Sequence, residues 1–242
     1  MKVDVRFTIP ELDAGELNGA TAVVVDVVRA TTTLTTALAR GAGAVFPAAS
    51  AEEAIRLLQS LGREDTLLCG ERKGLRPEGY DLGNSPSEFT DEVVAGKRLI
   101  MNTTNGTRAL RAVEDASRVV AAAFVNLGAV AEAIASEERV LVVCAGRNDR
   151  FALEDAACAG ALLLRLRDSG VELDAGDAAR SAMTLAAEQP LDRAFLASTH
   201  AGRALAAVDL EEDLGPCAEM DVLPVVPVFR DRMVTLQETP GG

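Results

Sequence analysis

The 242-residue chain has no tryptophan, one tyrosine and one histidine. Aromatics make up 3% of it, so a core has to be built from Val, Leu, Ala and Ile, which the 48% hydrophobic content supplies. One histidine, His200, excludes a multi-histidine metal site and a phosphohistidine relay that needs a second imidazole. Cysteine is sparse: Cys69, Cys144, Cys158 and Cys217 form no CxxC pair, which favours buried thiols in a reducing compartment over disulfides or zinc. Positive charge is short as well, with 24 Lys and Arg against 37 Asp and Glu and a net charge of −13. No basic run is long enough to follow a phosphate backbone, so nucleic acid is not an expected partner. No stretch approaches the roughly 18 uninterrupted apolar residues of a spanning helix. Met1–Arg6 is charged throughout and carries no signal-peptide pattern. A cytoplasmic protein with no membrane partner is expected.

Apolar runs rich in Val and Ala are what the chain does have. Thr21–Val28, Ala44–Pro47, Thr66–Cys69, Arg98–Met101, Arg118–Phe124 and Arg139–Cys144 read as strands, several of them apolar on both faces. Between them lie helical patterns at Thr31–Arg40, Ser50–Gly62, Thr107–Ala112, Leu127–Ala135 and Leu153–Arg167. Ser50 with Glu53 forms a capping box, and Ser85-Pro86-Ser87-Glu88 has the form of a second helix start. Strands that alternate with helices and are buried on both sides predict a mostly parallel sheet in a three-layer α/β/α fold. Helical patterns dominate from Asp174 to the apolar run Val225–Phe229, while Asp174-Ala175-Gly176-Asp177 reads as an ordinary loop. The expected organisation is one domain over residues 1–242, with a helix-rich C-terminal part and a subdivision near residue 170.

Open parallel sheets bind ligands beyond the carboxyl ends of their strands. Five strands deliver small or polar residues there: Asp26, Arg29 and Thr31-Thr32-Thr33; Gly70-Glu71-Arg72-Lys73-Gly74; Asn102-Thr103-Thr104-Asn105-Gly106-Thr107; Asn126; and Ala145-Gly146-Arg147-Asn148, followed by Glu154-Asp155. Helix N-termini that open after such loops present amide donors to anions. Arg29, Arg72 and Lys73 are suited to phosphate or sulfonate oxygens, together with Thr104, Asn105, Gly106 and Asn126. Asp26, Glu71, Glu154 and Asp155 are hard oxygen ligands of the kind Mg²⁺ takes. Cations and carboxylates on one edge describe a metal-assisted phosphoryl site, with Asp26, Glu71 and Asp155 as the catalytic candidates.

These segments resemble a known family. Asp26-Val27-Val28-Arg29-Ala30-Thr31-Thr32-Thr33, Cys69–Gly74 with Gly79–Pro86, Thr103-Thr104-Asn105-Gly106-Thr107, and Cys144-Ala145-Gly146 with Glu154-Asp155 are similar to signatures of the ComB-like 2-phosphosulfolactate phosphatases, as are Ser198-Thr199-His200 and Val225-Val226-Pro227. The match runs in order over nearly the whole chain. It implies Mg²⁺-dependent hydrolysis of 2-phosphosulfolactate to sulfolactate and phosphate, a step of coenzyme M biosynthesis. The implied partner is a small anionic phosphoester, with a homodimer as a further candidate. Arg147-Asn148-Asp149-Arg150 departs from the shorter-side-chain, Gly-containing loop of the family pattern, a departure that bears on substrate specificity rather than on the chemistry.

Plainer roles compete at several positions. Asp26 can serve as a turn cap, although a carboxylate flanked by Val25 and Val27 is costly without a partner. Asn105-Gly106 is a common turn pair. Arg72 and Lys73 can belong to a solvated loop. Asp155 can simply complement the positive end of a helix. His200 is taken as a structural hydrogen-bonder or a substrate contact. A cysteine phosphatase built on Cys144 and Arg150 is the rival mechanism, although no histidine precedes Cys144 to lower its pKa. A non-catalytic binder of small phosphorylated or sulfonated acids is the rival class.

Overall fold

The computed structural model describes residues 1–13 and 15–237. Its ten strands are β1 (Lys2–Arg6), β2 (Thr21–Val25), β3 (Ala44–Pro47), β4 (Thr66–Gly70), β5 (Arg98–Asn102), β6 (Arg118–Ala122), β7 (Arg139–Cys144), β8 (Asp174–Ala175), β9 (Pro227–Arg230) and β10 (Met233–Leu236). The helices are α1 (Ala30–Ala39), α2 (Ala51–Leu61), α3 (Asp91–Val94), α4 (Gly106–Ala112), α5 (Leu127–Ile134), α6 (Leu153–Asp168), α7 (Asp177–Ala187), α8 (Arg193–Ser198), α9 (His200–Ala206) and α10 (Leu214–Ala218).

All ten strands join one sheet in the order β4-β5-β3-β10-β9-β6-β2-β7-β1-β8. Two parallel blocks, β4-β5-β3 and β6-β2-β7-β1-β8, flank the antiparallel β9–β10 hairpin. The C-terminal apolar run thus enters the middle of the sheet. Passing through the hairpin, the two blocks run in opposite senses along the ladders. Neighbouring strands rotate by roughly 20–25°, so the five steps from β5 to β2 accumulate about 100–125°. That rotation lets the carboxyl ends of both blocks meet.

Alternate side chains of each strand feed different cores. Val23 and Val25 of β2, with Val142 and Cys144 of β7, pack against Leu127 and Val130 of α5 and Leu162 and Leu163 of α6. Ala22 and Val24 face the other way, into a core with Leu34 and Leu38 of α1 and Leu110 of α4 that also takes Leu99 and Met101 of β5. Ile100 and Leu68 turn outward to Ala54 of α2. Helices therefore cover both faces, as the doubly apolar strands predict. In the α2 capping box the Ser50 hydroxyl accepts from the Glu53 amide at 3.1 Å, while Glu53 reaches the Ala49 amide at 2.7 Å.

The structure adds one strand and corrects two local expectations. The charged N-terminus hides a strand: Val3 and Val5 are buried while Lys2, Asp4 and Arg6 are not, the period-2 alternation of a strand. Asp174-Ala175, read as loop, pairs with that strand as β8. Ser85 does not cap a helix. Its hydroxyl donates to Asp213, Glu88 accepts from the Gly83 amide at 2.8 Å, and only a short 3₁₀ turn forms at Pro86–Glu88.

Gly160 lets α6 approach α7: a Cβ there would lie 1.9 Å from the Ala182 carbonyl oxygen of α7. Gly160→Ala is expected to destabilise the protein by about 1–3 kcal/mol through overpacking. Urea unfolding measures it, and an unchanged midpoint would contradict this packing.

Candidate active site

β2 ends at Val25, and the next residue, Asp26, lines a cavity of about 690 Å³. The threonine run that follows holds the loop in shape. The Thr31 hydroxyl accepts from the Asp26 amide at 3.0 Å and donates to the Asp26 carbonyl at 2.8 Å. Thr32 donates to the Val27 carbonyl at 2.8 Å and Thr33 to the Asn84 carbonyl at 2.9 Å. At the start of α4, a Cβ on Gly106 would lie 2.6 Å from Asp26 Oδ2, so glycine is what allows the helix to approach the carboxylate.

Two further carboxylates tie loops together. Glu71, after β4, accepts from the Thr104 amide at 2.8 Å with one oxygen and from the Gly74 amide at 2.8 Å with the other. Asp155, in the first turn of α6, accepts from the Val27 amide at 2.9 Å and the Gly146 amide at 3.1 Å. The two sheet blocks meet directly as well: the Asn148 amide donates to Asn105 Oδ1 at 3.1 Å, and Arg29 donates to the Gly74 carbonyl at 2.6 Å.

Burial is the largest influence on the titration of Asp26, Glu154 and Asp155. Burial raises Asp26 from 3.8 to about 7, helped by Glu71 and Glu154 and opposed by the Ala30 amide and Arg29. Burial raises Glu154 as well. Asp155 is pushed well above the carboxylate range by burial, Asp26 and Glu154, against its two amide donors. Among the described residues, no three Asp, Glu, His or Cys side chains converge closely enough to cage an ion. Mg²⁺ does not require such a cage, because it takes one or two carboxylates plus waters and substrate phosphate. Asp26 and Glu154 fit that need. Glu154 Oε2 is buried with no hydrogen-bond partner, and Asp26 accepts only one amide, at 3.3 Å, through its side chain. Both oxygens of Glu71 and of Asp155 already hold loops.

The cavity is lined by Asp26, Arg29, Glu71, Arg72, Lys73, Thr104, Asn105, Glu154 and Asp155 of the expected set. Gly106 stands behind it against Asp26. Asn126 is not in the lining: its side chain bonds to the backbone of Ala121, Ala123 and Val225 and joins the end of β6 to the C-terminal segment. The cations divide into two kinds. The Arg29 guanidinium is buried on Asp213 at 2.5 Å. Arg72 donates to Asn102 Oδ1 at 2.5 Å and to the Glu71 carbonyl at 2.7 Å. Lys73 and Arg147 make no side-chain hydrogen bond or ion pair to a described residue. His200 is exposed and outside the lining. A second cavity, of about 380 Å³, includes Thr36, Arg40, Phe89 and Leu223 and none of the expected site residues.

The cysteine mechanism is overturned. Cys144 is fully buried and outside the lining, and burial, with Asp155 next, pushes its thiol well above the usual range. Its loop amides are also committed, Gly146 to Asp155 and Arg147 to the Arg150 carbonyl.

Three participants escaped the sequence reading. Asn84 lines the cavity at 4% exposure with Oδ1 unpartnered, and its place before Ser85-Pro86 in a turn-like segment masked it. Asp213 sits in an acidic run, Glu211-Glu212-Asp213, that resembles a solvated turn. Ala201, Ala204, Leu205 and Ala207 form an apolar wall from α9 and the residue after it, and carry no chemical signal.

An open α/β sheet whose strand ends enclose buried carboxylates and unpaired cations is the architecture of an enzyme acting on a small anionic substrate. The chain belongs to the 2-phosphosulpholactate phosphatase family, which matches residues 7–232, and it is a phosphoric monoester hydrolase. Similar proteins are named probable 2-phosphosulfolactate phosphatase. That of Symbiobacterium thermophilum is 42% identical, covering 93% of this chain and 97% of the relative. That of Thermotoga petrophila is 40% identical over 91% and 93%, and that of Synechocystis sp. 40% over 94% and 95%.

Two outcomes test this geometry. The folded-state pKa of Asp26, about 7, lies above its unfolded value of 3.8. Its contribution to stability is therefore complete below the unfolded value and lost as pH rises through about 7. Metal-free protein should lose thermal stability between about pH 4 and pH 7, and Asp26→Asn should lose less of it. Parallel melting curves for the two proteins would show that another group titrates. The Arg29–Asp213 pair, with side chains 3% and 6% exposed, gives the second outcome. Asp213→Ala strands a buried guanidinium and should lower stability by about 3–5 kcal/mol in denaturant unfolding. A loss below about 1 kcal/mol would show that the pair is solvated.

Proposed function

We propose that the protein hydrolyses 2-phosphosulfolactate to sulfolactate and phosphate with Mg²⁺ as cofactor, the kind of step used in coenzyme M biosynthesis. The observation that carries the reading is the pair of under-bonded buried carboxylates, Asp26 and Glu154, in a cavity that also holds unpaired cations. A binding protein for an anion gains nothing from burying unpaired acids beside it, since burying an unpartnered charge is costly. A metal-dependent phosphatase needs them. Mg²⁺ bound there would neutralise phosphate charge and connect it to the carboxylates.

The residues around it have separable tasks. Lys73 and the Thr104–Asn105 loop hold the phosphoryl oxygens. Asp26 accepts a proton from the attacking water as the new O–P bond forms. The P–O bond to the C2 oxygen breaks, the leaving alkoxide takes up a proton from solvent and Asp26 returns its own to solvent, so ester and water give alcohol and phosphate. Glu71 and Asp155 keep their loops in register during this exchange. The α9 wall of Ala201, Ala204 and Leu205 limits water on one side.

Phosphate release from a panel of small phosphoesters tests the proposal. Activity should vanish with EDTA, return with Mg²⁺ and be highest on 2-phosphosulfolactate. Glu154→Gln should lower the specificity constant by about ten- to a hundred-fold or more. Cys144→Ala should keep most of it. Binding of the ester without phosphate release would make the chain a binding protein instead, and undiminished activity in EDTA would remove the metal from the scheme.

A further inference from the structure

Of the four cations at the cavity, Lys73 and Arg147 make no hydrogen bond or ion pair to a described residue; Arg147 stands on a braced loop, and its charge favours the ionised form of Glu154. Its loop is a closed two-residue turn: the Arg147 amide donates to the Arg150 carbonyl at 2.8 Å, and the Arg150 amide donates back at 3.0 Å. Asn148 and Asp149 both take positive φ, 49° and 60°, as the tight mirror-image turn requires. The turn is tethered from outside as well. Asn148 bonds to Asn105, Asp149 pairs with Arg108 at 3.1 Å, and the preceding Gly146 amide is held by Asp155. The Arg147 side chain lines the cavity, half-buried, and its guanidinium meets no hydrogen-bond or ion-pair partner among the described residues.

A pinned backbone carrying an unused, partly desolvated guanidinium is what an anion subsite consists of before its ligand arrives. Arg29 and Arg72 already spend part of their forks on Asp213 and Gly74 and on Asn102 and the Glu71 carbonyl. Lys73 stands on the loop after β4, in one sheet block, and Arg147 on the loop after β7, in the other. Two free cations on opposite blocks suit a ligand with anionic groups at both ends. An arginine fork matches the oxygens of a sulfonate or carboxylate in two-point contact. In a chain of net charge −13, such a group needs a local cation.

We propose that Arg147 is a specificity-determining residue of the site and holds the second anionic group of the substrate, the sulfonate. This rests on the phosphatase function proposed above. The test compares wild type, Arg147→Ala and Arg147→Lys on 2-phosphosulfolactate and on 2-phospholactate, which lacks the sulfonate. It also measures sulfolactate binding to the same three proteins by calorimetry. Arg147→Ala should lose about ten- to a hundred-fold more in kcat/KM on the sulfonated ester than on the other, mainly through KM. Arg147→Lys should fall between, and sulfolactate affinity should drop in parallel. Equal losses on both esters would assign Arg147 to the phosphate and overturn the proposal, as would no loss on either. If wild type hydrolyses neither ester, the phosphatase reading fails on its own. Sulfolactate binding then decides the subsite: affinity lost in Arg147→Ala sustains it, and no binding, or equal binding, ends it. Equal melting temperatures of the three proteins show that folding is not the variable.

Discussion

Each oxygen of Asp155 accepts one backbone amide, from Val27 in the loop after β2 and from Gly146 in the loop after β7, and the shape of the site follows from that pair of bonds. Glu71 does the same in the other sheet block, between Thr104 and Gly74. A buried carboxylate is costly unless donors surround it, so each of these acids keeps its loops where the donors are. Asp26 and Glu154, beside them, have no such complement. Their oxygens are what remains for a ligand once the loops have been satisfied.

The same division runs through the positive charges. Arg29 and Arg72 look like substrate ligands by type and position, yet each spends part of its fork on protein acceptors. Arg29 joins the first loop to Asp213 and Gly74, and Asp213 also takes the Ser85 hydroxyl. Four segments far apart in the chain are thus tied around one buried guanidinium. Among the described residues, Lys73 and Arg147 find no hydrogen-bond or ion-pair partner. An acidic protein that binds an anion has to separate cations that build the site from cations that serve the ligand, and here they alternate along the same loops.

Much of the fold was legible. Strands such as Ala44–Pro47 and Arg139–Cys144 carry their limits in their own apolar runs, and doubly buried strands imply helices on both faces. Less visible were β1, whose buried residues are only Val3 and Val5 between charged neighbours, and β8, two residues long. β8 is the edge strand and β1 its neighbour, and both exist through pairing and carry little pattern of their own. The hairpin in the middle of the sheet was hidden for another reason. Its strands close the chain but pair with β6 and β3, and no periodicity encodes a partner.

Residue type and place along the chain determined that acids, cations and glycines would gather at the carboxyl ends of the strands, because strand ends and turns are local properties. Sequence alone could also exclude a multi-histidine metal site, for want of a second imidazole. Only the tertiary structure decided which of those groups are free. Asn126 has its full set of bonds to backbone, Cys144 is sealed in the core, and Arg29 finds Asp213 across 184 residues of chain. Whether a charged side chain braces the fold or waits for a ligand depends on the donor or acceptor opposite it, and long-range folding alone brings that partner into place.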